Sequence, residues 1–200
     1  MADESKYIEV RTSTLRPNIK LGFEVYIGVA GKHLLYNRAT DDIEKEKLEK
    51  LNQKNIRSMF IKEQDKIAYE KFINLEKEKL KDKKVPIEQK TQIVTGIAKA
   101  AVEEVLKDPT KKENFVQAEQ AAASQVDLLL QNPQALEQLL KVANLDKTVY
   151  QHSVNVATIA IGLSASLGAN EQICQVVGVG ALLHDIGRSP EIPNNMSIDQ

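Results

Sequence analysis

Hydrophobic and polar residues alternate with a period of two near the N-terminus, at Tyr7-Ile8-Glu9-Val10-Arg11 and again at Phe23-Glu24-Val25-Tyr26-Ile27. Successive strand side chains point to opposite faces, so this alternation predicts half-buried strands. Ala30-Gly31-Lys32 and then Leu34-Leu35-Tyr36 follow the second run, which reads as a hairpin with a glycine-containing turn. Asp41 and Glu44 have capping-box spacing, and Ile43, Leu48 and Leu51 form a partial apolar stripe; together they predict a helix beginning at Asp41. Ile56 to Ile61 reads as another short strand. The expected core of this α+β unit is Val25, Ile27, Leu34, Tyr36, Ile43 and Ile61.

From Gln64 onward the apolar period lengthens to that of a helix. Ala68, Phe72 and Leu75 mark one face, and the charged run Glu76 to Lys84 reads as a solvated face or connector. Val85-Pro86 breaks the pattern. A helix over about 87–107 carries Ile93, Ile97, Ala101 and Val105 in register, and Asp108-Pro109 ends it. The next helix is marked by Phe115, Ala118, Ala122, Val126 and Leu129. Asn132-Pro133 then stops one helix and starts another, a short one with Leu136, Leu139 and Leu140. The organisation predicted is an N-terminal α+β domain with its charged connector over 1–84, and a helical domain over 85–200.

Composition narrows the class. Hydrophobic content of 42% and charged content of 28% over 200 residues are those of a globular protein with room for a core. A net charge of -1 argues against binding nucleic acid or an anionic membrane by bulk electrostatics. The first residues show no signal peptide, and the longest apolar run, Ile173 to Leu183, is too short to span a bilayer. Cys174, the single cysteine, fits a small core residue in a reducing cytoplasm.

The candidate chemistry lies in the last two helical segments. Asp146 is the expected N-cap of the first, which bears Val149, His152, Val156, Ile159, Ala160 and Leu163 on one face and ends at Gly168. Asn170 is the expected cap of the second, where Ile173, Val176, Val177, Gly180, Ala181 and His184 share a face. Both histidines therefore point to the apolar sides of their helices. The short loop Gly168-Ala169-Asn170 predicts an antiparallel hairpin. Counted from Ala169, His152 lies 17 residues back and His184 lies 15 forward. That mismatch is about 3 Å along the axis, so the imidazoles should stand level, with Gly162 and Gly180 permitting close helix approach nearby.

A lone histidine on an apolar face is usually a satisfied core residue. Two at matching heights are harder to explain that way. Asp185 adds a carboxylate that is costly to bury unless paired or metal-bound. Imidazole and carboxylate together suit divalent first-row metals, so the trio points to a metal site. His33, after a turn, reads as a surface residue with no visible partner.

Tyr150-Gln151-His152-Ser153-Val154-Asn155-Val156, then Leu167-Gly168, then His184-Asp185-Ile186-Gly187-Arg188 resemble the signature of the HD-GYP family, a branch of the HD superfamily of metal-dependent phosphohydrolases. The resemblance covers about a quarter of the chain. It implies a mainly α fold, a helical HD-type bundle incomplete at the C-terminus, behind a small N-terminal α+β regulatory domain. It implies that His152, His184 and Asp185 are metal ligands, with Asp185 bridging two iron or manganese ions and acting in catalysis, and that Arg188 binds a substrate phosphate. The function implied is a cytoplasmic phosphodiesterase acting on cyclic di-GMP in bacterial signalling, with a signalling protein engaged through the N-terminal domain.

The chain also departs from the pattern. It has no histidine after His184 and no Gly-Tyr-Pro motif, and Arg188 stands where the family usually has lysine. Thr148 occupies the position where some members carry a third-metal glutamate, and the approach to Ile192-Pro193 is one residue longer than usual. Three ligands cannot saturate two metals. The expectation is that these residues are part of a longer protein or a degenerate HD domain, and that the 200-residue chain by itself is inactive. The alternatives are a non-catalytic signalling scaffold and an HD phosphohydrolase acting on nucleotides.

Overall fold

The computed structural model describes residues 6–54, 56–143 and 148–188, apart from the side chains at positions 52, 142, 143 and 188. The chain divides into two compact units, Met1–Lys83 and Lys84–Gln200, each with its own hydrophobic core. The fold is mainly α, with seven helices and one small antiparallel sheet among the described residues.

In the first unit the strands are β1 (Tyr7–Arg11), β2 (Val25–Val29), β3 (Lys32–Asn37) and β4 (Ser58–Lys62), in the order β1-β4-β2-β3. All neighbouring pairs are antiparallel. Ala30 and Gly31 join β2 to β3 with φ of 49° and 76°. Two positive φ values make the primed two-residue turn whose twist matches that of the strands. Val25, Met59, Ile61 and Val10 face inward and close a core with Phe23, Ile43, Leu48, Leu51 and Phe72.

Helix α1 (Lys45–Gln53) starts four residues later than the capping-box spacing predicts. The chain before it is held extended: Lys20 and Asp42 form an antiparallel bridge, and Ile43 exchanges backbone hydrogen bonds with Asn18 and Ile19. Those partners satisfy the backbone groups that a first helical turn would have used. Ile27 and Tyr36 are half-buried against the core as expected, but Leu34 is half exposed. In α2 (Lys66–Lys79) Leu75 faces solvent, and Glu76, expected on a solvated face, is buried and hydrogen-bonded by Lys79. The inward row runs through Ala68, Tyr69, Phe72 and Ile73 to Glu76.

His33 also differs from expectation. Its ring stacks on Tyr7 with centroids 3.9 Å apart and meets the edge of Phe60 at 4.5 Å. Phe60 can lie there because Gly28 sits beneath it; a Cβ at Gly28 would stand 3.1 Å from the Phe60 ring. Alternation thus places Tyr7, Tyr26, His33 and Phe60 on the sheet face opposite the core, where they cover one another.

The second unit is built from α3 (Ile87–Lys107), α4 (Lys112–Gln131), α5 (Ala135–Ala143), α6 (Val149–Ser166) and α7 (Glu171–Leu183). Helix α6 packs against α3, α4, α5 and α7. Small residues dominate where the helices meet, with Ala98, Ala101, Ala118, Ala121, Ala122 and Ala157 all buried. Cys174 is buried and free, in keeping with a core role.

Candidate metal centre

The helix pair that carries the two histidines is fixed at both ends by local signals. Thr148 caps α6, its hydroxyl accepting from the Gln151 backbone N–H at 3.2 Å. The expected cap, Asp146, lies outside the described residues. At the other end Gly168 has a φ of 82°, and the N–H groups of Gly168 and Ala169 donate to Ala165 and Ser164. That is the Schellman arrangement, and it satisfies the last carbonyls of α6. Asn170 then caps α7, accepting from the Ile173 N–H at 2.9 Å. Residues 167–170 therefore reverse the chain with no slack.

Close approach of the helices comes from Gly178. A Cβ there would stand 2.9 Å from Ile161 Cδ1 and 3.5 Å from Ala122 Cβ. Gly180, expected to play this part, has open space around it, and Gly162 faces Leu136 of α5 rather than α7. A buried hydrogen bond from Gln125 Nε2 to Thr158 Oγ1, 3.1 Å, pins α4 to α6 two turns beyond the site. No sequence pattern announced this link, because glutamine and threonine at buried helix positions have no periodic signature.

The hairpin brings His152 and His184 together edge to face, with ring centroids 5.2 Å apart. Asp185 joins them, and one donor atom from each of the three lies within 4.8 Å of the others. His184 Nδ1 lies 2.8 Å from the Ala181 carbonyl oxygen. A carbonyl can only accept, so Nδ1 carries the proton and Nε2 is left with its lone pair outward. Fixing the tautomer through the far ring nitrogen is how metal-binding histidines are usually oriented. His184 Nε2 is 3.5 Å from Asp185 Oδ2. Both histidines are exposed at one edge and Asp185 is half-buried, so the cluster opens to solvent.

Two further features favour a cation. The carbonyl end of α7 lies at His184, and a helix C-terminus carries partial negative charge. The donor set is two imidazoles and a carboxylate, the mixed set that divalent first-row ions prefer. Two donors each about 2.1 Å from one ion are at most about 4.2 Å apart, so a small side-chain rotation from the observed spacing suffices. The trio fits a divalent ion. Arg188 ends the 3-10 turn Ile186–Arg188, directly after this cluster, and its side chain is outside the described residues.

Residues 149–198, which include all three residues of the cluster, match the HD domain family. The whole fold resembles a solved structure, Bd1817, a HDG"Y"P protein from Bdellovibrio bacteriovorus, with 32% identity and a TM-score of 0.82 over 93% of this chain. A 60-residue stretch is 35% identical to the cyclic di-GMP phosphodiesterase PA4108 of Pseudomonas aeruginosa. The fold is thus similar to that of a HDG"Y"P protein, and the segment that carries the cluster is similar to the HD domain family. The chain spans 62% of the length of Bd1817 and 14% of PA4108. Among the described residues no helix is long and apolar enough to cross a membrane.

Proposed function

We propose that this chain is part of a metal-dependent phosphodiesterase of HD-GYP type that hydrolyses cyclic di-GMP in bacterial signalling. The observation that carries the reading is the convergence of His152, His184 and Asp185 at one end of a capped hairpin. The likeness to PA4108 supports the substrate class. His152 and His184 would each hold one ion, iron or manganese, and Asp185 would bridge the pair. Bound there, such ions would supply an activated water and stabilise charge developing on phosphate.

The chain's own groups do the rest. The Ala181 carbonyl keeps the His184 Nε2 lone pair aimed into the cluster. Arg188 steadies a phosphate oxygen, bidentately where the geometry allows. The three donors found among the described residues do not complete a two-ion centre, so turnover needs further donors. The N-terminal unit acts as a regulatory module that receives a signalling protein, and the protein works in the cytoplasm.

Metal content and cyclic di-GMP turnover test this, in a protein that supplies the remaining donors, beside Asp185→Asn and Arg188→Ala. Asp185→Asn should lose metal and all turnover, because Asp185 is the anionic donor of the trio. Arg188→Ala should keep its metal and show mainly a raised KM. Full metal occupancy in Asp185→Asn would remove Asp185 from the site. A metal-loaded wild type without turnover of cyclic di-GMP would favour the non-catalytic signalling reading, and turnover of mononucleotides in its place would favour a nucleotide phosphohydrolase.

A further inference from the structure

Strand β3 is an outer edge of the sheet order β1-β4-β2-β3. The turn through Ala30 and Gly31 makes Val29 and Lys32 the first hydrogen-bonded pair of the hairpin. Such pairs alternate along an antiparallel ladder. Ile27 and Leu34 therefore exchange bonds, while His33 and Leu35 turn their N–H and C=O groups away from β2. Among the described residues no backbone hydrogen bond meets them from the other side. An edge of this kind templates another strand unless charge or proline blunts it. The opposite edge, β1, carries the ion pair of Glu9 and Arg11. After its first residue, Lys32, strand β3 has no lysine, arginine or carboxylate. It presents Leu34 on the core face, 50% exposed, and Leu35 on the outer face, 46% exposed.

We infer that β3 pairs antiparallel with β3 of a second copy of the chain, joining two four-stranded sheets into one continuous sheet. The strand is self-complementary in one register, as a two-fold interface requires. A two-fold axis at Leu34 sets His33 opposite the partner's Leu35, so the outward groups of both copies exchange hydrogen bonds. It sets Leu34 against the partner's Leu34, which covers the most exposed apolar side chain of the strand. It also sets Lys32 opposite the partner's Tyr36. Burial, and then the nearby Glu44 carboxylate, push the Tyr36 phenol up. The cation of one copy thus arrives where the other holds acidic charge, and that complementarity selects a second copy as the occupant. Val25 pairs with Asn37 and Tyr26 with Leu35, so Tyr36 is the extra residue of a bulge. A bulge bends its strand, which confines the pairing to residues 32–36 and fixes the register. The pairing does not depend on whether the histidine cluster holds metal.

Sedimentation of the full chain over a range of concentrations tests it, with Leu34→Lys and Leu34→Cys beside the wild type. The wild type should run as a dimer. Leu34→Lys opposes two like charges at the axis and should raise the dimer dissociation constant by at least about tenfold. Leu34 is half exposed, so that variant should keep the dispersed methyl signals of Ile43 and Ile61. Residues opposite each other in a non-hydrogen-bonded antiparallel pair have Cα atoms about 4.5 Å apart, a span that a disulfide bridges. Leu34→Cys should therefore cross-link two chains under mild oxidation. Leu75→Cys on α2, 54% exposed, should cross-link far more slowly, and Cys174 is buried. A wild-type chain that stays monomeric would overturn the inference. So would a dimer that survives Leu34→Lys undiminished, or cross-linking no faster at Leu34→Cys than at Leu75→Cys.

Discussion

His184 has one ring nitrogen committed to a backbone carbonyl, and that commitment is measurable. Nitrogen NMR of the metal-free chain should show neutral His184 protonated at Nδ1, the nitrogen 2.8 Å from the Ala181 oxygen. An Nε2–H tautomer would point the proton where a metal should bind and would contradict the proposed ligand geometry. The two glycines of α7 give a second residue-scale contrast. Gly180→Ala meets no atom within 4 Å, so it should gain roughly 0.5–1 kcal/mol of helix propensity. Gly178→Ala gains the same propensity but drives a Cβ to within 2.9 Å of Ile161, and overpacking costs about 1–3 kcal/mol. Urea midpoints should move in opposite directions, up for Gly180→Ala and down for Gly178→Ala. A rise for both would show that Ile161 yields easily. The level histidines were legible in the sequence because helical rise is fixed and the loop is short. The choice of Gly178 over Gly180 was not, because it depends on which face of α7 meets Ile161, and both faces are apolar.

At the scale of elements, the 167–170 reversal holds His152 and His184 level. Gly168→Ala places a Cβ at a φ of 82°, which costs about 1–2 kcal/mol for an L-residue. Asn170→Ala removes the side chain that accepts the Ile173 N–H, at a cost of about 1 kcal/mol. Thermal melts should therefore fall for each. The sites are adjacent, so the double variant should depart from additivity. Loss of neither would mean that packing alone sets the reversal. These caps were legible because glycine and asparagine have conformational reasons to stand there. The start of α1 was not: a bridge between Lys20 and Asp42, distant in sequence, overrides a local capping pattern. Nor was the direction of the apolar stripe on α6. Periodicity shows that Val149, Val156, Ile159 and Leu163 share a face, but not whether that face or the one bearing Val154, Ala157 and Ile161 meets the bundle.

At the scale of the whole chain there are two cores. Phe23, Ile43, Met59 and Ile61 close one, and Val102, Val105, Ala118 and Ala157 belong to the other. A unit with its own core can fold by itself. Residues 1–83 expressed alone should therefore melt cooperatively, with dispersed methyl signals from Ile43 and Ile61. A featureless, non-cooperative melt would show that the sheet unit depends on the helical one. The small sheet was legible from alternation, but its outer aromatic layer was not. Tyr7 and His33 stand on the two edge strands of the order β1-β4-β2-β3, and their stacking across the inner strands has no local signal in the sequence.

The account rests on one claim above the others, that His152, His184 and Asp185 form a metal centre. Anomalous diffraction at the manganese edge, from crystals of the protein grown with manganese, tests it most directly. The predicted result is anomalous density, as one peak or two, within coordination distance, about 2.0–2.2 Å, of the His152 imidazole, the His184 imidazole and the Asp185 carboxylate. That density should vanish in Asp185→Asn. No peak at saturating manganese, or a peak held by other side chains while these three keep their present spacing, would contradict the claim.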